Sequence, residues 1–105
     1  NAISPKQLVD ALYVMRASPY FQTFYESLPL AGMTGTLHRA MKGSIAEGRI
    51  RAKTGTINYV KSFAGYCNTI TGRKLIFSLI VNDYEGRTRI VKKKLESVLI
   101  DMAKI

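Results

Sequence analysis

The sequence predicts an α+β domain: a three-stranded antiparallel sheet with N-terminal helices and a C-terminal helix packed on it. Three observations lead there. Apolar residues recur at helical spacing at both ends of the chain. Between them the period drops to two, first at Ile50, Ala52 and Thr54 against Arg49, Arg51 and Lys53. The last two apolar runs are joined by the turn signal Thr71-Gly72, as in a hairpin. Helices gathered at the ends of an antiparallel run give helices laid on a sheet.

Ser4-Pro5 opens the first helix, a cap residue followed by proline at the first helical position. Leu8, Leu12 and Met15, with Val9 and Ala11 nearby, make its apolar stripe. Ser18-Pro19 repeats the start signal, and Phe21, Phe24, Tyr25 and Leu28 form a second, aromatic-rich helical segment that Pro29 stops. Residues 30–35 read as loop, with glycines at 32 and 35. Thr36 is placed to cap a short helix through Met41, and Gly43 and Gly48 bracket a further connection.

The second strand is expected from Lys61 to Thr69 and the third from Lys74 to Asn82. In the third, Leu75, Phe77, Leu79 and Val81 face one way and Ile76 and Ile80 the other, which implies cover on both faces. Asp83 to Gly86 reads as a turn. Ile90 to Ile105 closes the chain as an amphipathic helix with Val91, Leu95, Val98, Leu99 and Met102 inward. No repeat, linker or low-complexity tract divides the chain. The long apolar third strand ordinarily needs a neighbour on each side, and no fourth strand is evident.

Sixteen Lys plus Arg against seven Asp plus Glu give a net charge of +9. Such a field attracts anions without selecting among nucleic acid, lipid and wall polymer. The run Lys92-Lys93-Lys94 reads as a solvated helix face. A lone cysteine, Cys67, excludes an internal disulfide and reads as a buried, inert thiol. With a single histidine, His38, zinc-type ligand sets are excluded. His38 reads as a surface or cap residue. No metal or organic cofactor is called for. No apolar run approaches the roughly 20 residues that cross a bilayer. Asn1-Ala2 resembles the residues left after removal of an affinity tag, so the domain is taken as residues 3–105.

The motif of interest is Lys53-Thr54-Gly55, followed by Thr56. Gly48 to Thr54 is a poor phosphate loop: Ala52 stands where glycine should precede the lysine, and the lysine ends a strand instead of opening a helix. There is no Gly-x-Ser-x-Gly elbow to pair with His38, and the acids lie apart in loops and on helix faces. A lysine and two hydroxyls on an exposed strand edge instead suit a carboxylate, held by charge-assisted hydrogen bonds. The glycine leaves the edge open to a peptide-like ligand.

Leu28-Pro29-Leu30-Ala31-Gly32-Met33-Thr34-Gly35-Thr36-Leu37, with Arg39 after it, resembles the LPvaGvdGTL segment of class C penicillin-binding proteins, the D-alanyl-D-alanine carboxypeptidase/endopeptidases. Arg51 to Thr56 resembles their third active-site motif. Ser62 to Tyr66 and Gly72 to Asn82 resemble the two strands that follow. The resemblance runs from about Pro5 to the final helix. It implies the C-terminal part of a penicillin-binding/serine β-lactamase-like fold, whose five-stranded sheet draws two strands from an N-terminal part.

The resemblance further implies a serine-type, penicillin-binding D-Ala-D-Ala carboxypeptidase that trims peptidoglycan stem peptides outside the bacterial cytoplasm. Lys53, Thr54, Gly55 and Thr56 are then substrate-binding, and the Thr56 N–H is one of two oxyanion donors. No serine here has lysine three residues on or asparagine two on. The family's nucleophile, base and Ser-x-Asn motif are therefore missing, and this chain alone is expected to be inactive. Tyr66-Cys67-Asn68 imitates a Tyr-x-Asn motif but lies in the wrong place. The implied partners are stem peptides, β-lactams and the N-terminal part of the domain, with self-association through the Lys74–Asn82 edge. The rival reading is a basic, non-enzymatic module on an anionic polymer. No nucleic-acid motif supports it.

Overall fold

The computed structural model describes residues 4–57, 60–82 and 88–105. Helices α1 (Pro5–Met15) and α2 (Phe21–Ser27) come first, then a 3-10 turn at Gly35–Leu37. Strands β1 (Ile50–Ile57), β2 (Val60–Asn68) and β3 (Lys74–Asn82) follow, and α3 (Thr88–Ala103) ends the chain. The strands form one antiparallel meander in the order β1-β2-β3. The fold is α+β, as the sequence predicts.

Each face of the sheet carries its own core. Ile50 and Ala52 of β1, Phe63 and Cys67 of β2 and Phe77 of β3 pack with Leu95 and Leu99 of α3 and with Ala31, Leu37, Met41 and Ala46 of the long connection. Ala64 and Tyr66 point the other way, against Leu12 of α1 and Leu28, with Phe21, Phe24 and Tyr25 of α2 beside them. This is the two-sided alternation of a strand buried on both faces. Tyr66 ties the second layer together. Its O–H donates to the carbonyl of Leu12 at 2.8 Å, and its ring meets Phe21 and Tyr25 edge-on.

Several boundaries differ from the sequence reading. Ser4 caps α1 through a full capping box with Gln7, but α2 starts after Tyr20 without a side-chain cap. The Ser18 hydroxyl instead accepts from the Tyr20 N–H, which uses it up in the preceding turn. No helix runs from Thr36 to Met41. Thr36 lies within the 3-10 turn, and Met41 takes a φ of 60°, which breaks helical continuation. Thr69 leaves β2 because its hydroxyl accepts from the Arg73 N–H, closing the turn to β3. On α3, Val98 is 51% exposed; the inward stripe is Val91, Leu95, Leu99 and Met102, with Ala103.

Cover on β3 is also uneven. Leu75, Phe77, Leu79 and Val81 meet the α3 layer and Ile76 meets the helical layer opposite, while Ile80 stays exposed. The expected turn at Asp83–Gly86 lies outside the described residues. Cys67 is buried, and burial pushes its thiol pKa up against the opposing charge of Arg49. Lys92, Lys93 and Lys94 are exposed. No helix of the described residues is long and apolar enough to cross a membrane. The last turn of α3 is fastened to the β2–β3 turn. The Ile70 N–H donates to the Ala103 carbonyl at 2.9 Å, and the Thr71 hydroxyl donates to that of Ile105 at 2.7 Å.

Gly65 sets how closely β1 can approach β2. A Cβ there would stand 2.0 Å from the Arg51 carbonyl oxygen and 2.7 Å from the Ala52 Cα. Backbone cannot yield as a side chain can. Gly65→Ala is therefore expected to destabilise the domain by at least the roughly 1–3 kcal/mol typical of overpacking, read as a lower urea midpoint. An unchanged midpoint would mean that β1 tolerates displacement.

Burial raises the Tyr66 pKa, opposed in part by nearby Arg16. A phenol whose folded pKa exceeds its unfolded value contributes stability that is full below about pH 10 and is lost as pH climbs above it. Thermal melts from pH 7 to 11 should show this loss in the native chain. Tyr66→Phe should remove that alkaline component while lowering stability at neutral pH by about 1 kcal/mol for the lost hydrogen bond. Parallel alkaline slopes in the two proteins would assign the loss to other groups.

Candidate active site

The predicted site residues lie on β1, at one edge of the sheet. Two observations show how that edge is made. The Ala52 N–H donates to the Pro29 carbonyl at 3.0 Å and the Ala31 N–H to the Ile50 carbonyl at 2.9 Å. Together they form an antiparallel bridge between Leu30 and Arg51. The backbone groups of Ile50 and Ala52 thus point away from β2. By the alternation of an antiparallel strand, those of Thr54 and Thr56 point the same way. The Leu28–Ala31 segment covers the first half of the edge. The second half, at Thr54 and Thr56, has no strand or loop paired to it among the described residues.

Arg51 fixes this arrangement. One guanidinium nitrogen donates to the Leu28 carbonyl at 3.1 Å and to that of Glu26 at 3.4 Å. The group stacks on the Tyr25 ring, 5.1 Å from its centroid. The carbonyls at the end of α2, which helix geometry leaves without partners, are satisfied from β1.

Side chains along the strand alternate between faces. Arg51, Lys53 and Gly55 share the face of α1 and α2; Ala52, Thr54 and Thr56 share the face of α3. The four predicted residues are therefore contiguous on one open edge, but Lys53 and the two hydroxyls diverge. The exposed Lys53 ammonium turns back over the edge to the Thr54 carbonyl at 3.5 Å. Across the sheet Lys53 lies opposite Ala64, and Ala64 opposite Ser78. The Ser78 hydroxyl is a buried side-chain oxygen without a hydrogen-bond partner. Gly55 lies opposite Ser62, whose hydroxyl oxygen would be 3.1 Å from a Cβ at position 55.

Two further residues join the hydroxyl side. The Thr54 hydroxyl is 3.4 Å from that of Thr36, contributed by the 3-10 turn. The Thr56 hydroxyl accepts from the ammonium of Lys61 at 2.9 Å. Lys61 lies opposite Thr56 across the β1–β2 pairing and is only 9% exposed. In the sequence reading Thr36 has only a helix-capping role, and Lys61, like Lys92, is expected to matter little to activity. Only strand register brings Lys61 to Thr56, and only the tertiary fold brings Thr36 to Thr54. The Tyr-x-Asn imitation is structural: Tyr66 bonds to Leu12 and the Asn68 amide donates to the Tyr25 hydroxyl at 3.3 Å. A cavity of about 440 Å³, lined by Arg16, Phe21, Tyr25, Tyr66, Lys74 and their neighbours, lies at that far end of the sheet, away from Lys53. Among the described residues no three His, Cys, Asp or Glu side chains could hold a metal ion.

The three-stranded meander, with its Lys-Thr-Gly edge strand and helices on both faces, matches part of a known fold. It superimposes with a TM-score of 0.83 on the crystal structure of penicillin binding protein 4 (dacB) from Haemophilus influenzae, at 22% identity over 100% of this chain and 25% of that one. A second structure of that protein, complexed with a β-lactam, gives 0.85 at 20% identity, covering 100% of this chain and 26% of that one. The model of the D-Ala-D-Ala carboxypeptidase 3 (S13) family matches residues 1–102, and the chain belongs to that family.

Among curated relatives, the D-alanyl-D-alanine carboxypeptidase of Actinomadura sp. (strain R39) is 37% identical over 91 residues, 82% of this chain and 17% of that protein. Carboxypeptidase DacB of Mycolicibacterium smegmatis is 37% identical over 96 residues, 86% of this chain and 21% of that protein. The chain thus spans about a fifth of the length of these relatives.

Proposed function

We propose that residues 3–105 are the C-terminal part of a serine-type D-Ala-D-Ala carboxypeptidase domain, and that β1 is its substrate-holding wall. The observation that carries this reading is the half-open edge. The bridge at Leu30 stops the backbone pairing of β1 at Ala52, leaving Thr54 and Thr56 free to meet an extended peptide as an added strand would. The substrate is a peptidoglycan stem peptide ending in D-Ala-D-Ala, with β-lactams as mimics, and the location is the bacterial cell envelope. The D-Ala-D-Ala specificity in the family's name and the β-lactam bound to a structural relative support the substrate end and its mimic.

In the proposed reaction a serine outside this chain attacks the penultimate D-Ala carbonyl. The terminal D-Ala leaves, and water releases the acyl-enzyme. The outward Thr56 N–H is one of two donors to the oxyanion. Thr54 and Thr56 hydroxyls take the terminal carboxylate. Lys53, on the opposite face, lends positive potential to the side from which the nucleophile and its base approach. Gly55 keeps that side low.

Lys53→Ala in the full-length enzyme removes the positive charge offered to the nucleophile and its base, an interaction worth roughly 1.5–3 kcal/mol. Acylation by a fluorescent penicillin should then slow by about 10- to 150-fold. Lys92→Ala, on the solvated face of α3, is the control and should leave the rate unchanged. Equal losses at both positions would point to the diffuse electrostatics of a basic interaction module.

The other edge of the sheet belongs to β3, which has no outer strand partner among the described residues. In the proposed fold, N-terminal strands continue the sheet there. The 105-residue chain alone should therefore self-associate through Lys74–Asn82. Light scattering at several concentrations should show a mass above the monomer. A strict monomer at high concentration would contradict this edge assignment.

A further inference from the structure

We propose that Lys61 is the cation of the carboxylate clamp: a positioning and specificity-determining residue that acts on the substrate's terminal carboxylate through and beside Thr56. The inference rests on the reading of β1 as the substrate wall and deepens it.

Thr54 and Thr56 present their hydroxyls on the α3 face, whereas Lys53 lies on the other face and reaches only the Thr54 carbonyl at 3.5 Å. A carboxylate seated on the two hydroxyls would therefore be short of positive charge if Lys53 were the sole cation. Lys61 supplies it. Its stem lies on the hydroxyl face, in register with Thr56 and Val81, and its ammonium donates to the Thr56 hydroxyl oxygen at 2.9 Å.

Two physical consequences follow. The Thr56 oxygen, with one of its two lone pairs taken by the ammonium, keeps its own O–H available to donate to a ligand at the open edge. Polarisation along the chain also makes that O–H a stronger donor. The ammonium itself has three protons, one of which is used on Thr56, and no carboxylate is paired with it among the described residues. A lysine only 9% exposed loses hydration that an arriving anion can replace. A carboxylate beside the exposed Thr56 would accept a hydrogen bond from the hydroxyl and lie close enough to share the charge.

The test compares penicillin G with its carboxamide in the full-length enzyme, each rate taken as a ratio of acid to amide. Lys61→Met keeps the stem and removes the charge. Acylation by the acid should fall by about tenfold or more, while acylation by the amide stays as in the native enzyme. Lys61→Arg should restore most of the preference for the acid. A role confined to holding the strands together would slow both compounds alike and would overturn the proposal. If Thr54→Val and Thr56→Val lose the preference but Lys61→Met keeps it, the substrate wall stands and Lys61 falls. If all three keep it, both fall. Should Lys61→Met fail to melt cooperatively, Lys61→Gln, which keeps a donor without the charge, takes its place in the same comparison.

Discussion

The short bridge between Leu30 and Arg51 is the constraint on which the architecture turns. Two backbone hydrogen bonds hold the Pro29 segment against the outer side of β1, and the Arg51 side chain reaches back to the carbonyls that end α2. One residue therefore joins the sheet edge, the helical layer and the connection between them. Because the bridge ends at Ala52, the strand changes character within two residues, from a buried member of the sheet to an open template. The position of Lys53-Thr54-Gly55-Thr56 just past that point gives the motif its meaning.

The second organising element is the contrast between the faces of β1. A strand sends successive side chains apart, so a four-residue motif cannot act as a single patch. It can serve two compartments at once, with a cation on one side, hydroxyls on the other and the backbone between them. The close contact of β1 with β2 at Gly65 matters here, because it brings the side chains of β2 into range. Ser62 and Lys61 are neighbours in sequence yet sit on opposite faces, one opposite Gly55 and the other opposite Thr56.

Much of this was legible in the sequence, for identifiable reasons. Ser4-Pro5, the alternation at Ile50 and Ala52, and the span Lys74–Asn82 are local patterns, and local patterns dictated the observed elements. The Lys-Thr-Gly strand could be placed for the same reason. What escaped was set by contacts distant in sequence. Thr36 has a cap residue's chemistry, but its hydroxyl faces Thr54, 18 residues away. Val98 fits the helical period but falls outside the width of the groove that Leu95 and Leu99 fill. Lys61 reads in sequence as one more basic residue of a basic chain. Its register against Thr56 and its burial distinguish it from Lys92.

The meander has a kinetic corollary. Every strand pairing in it joins neighbours in the chain, and the final helix is pinned to the adjacent hairpin turn through Ile70 and Thr71. Loop closures of this size cost little entropy, and low contact order favours rapid formation. The strands and α3 can thus assemble as a local unit, with the helical layer on β2 and β3 as the main contact across long sequence separation. Such a unit can mature early and, within the larger domain proposed above, would present a finished surface to slower-forming neighbours, so that their assembly becomes a docking problem.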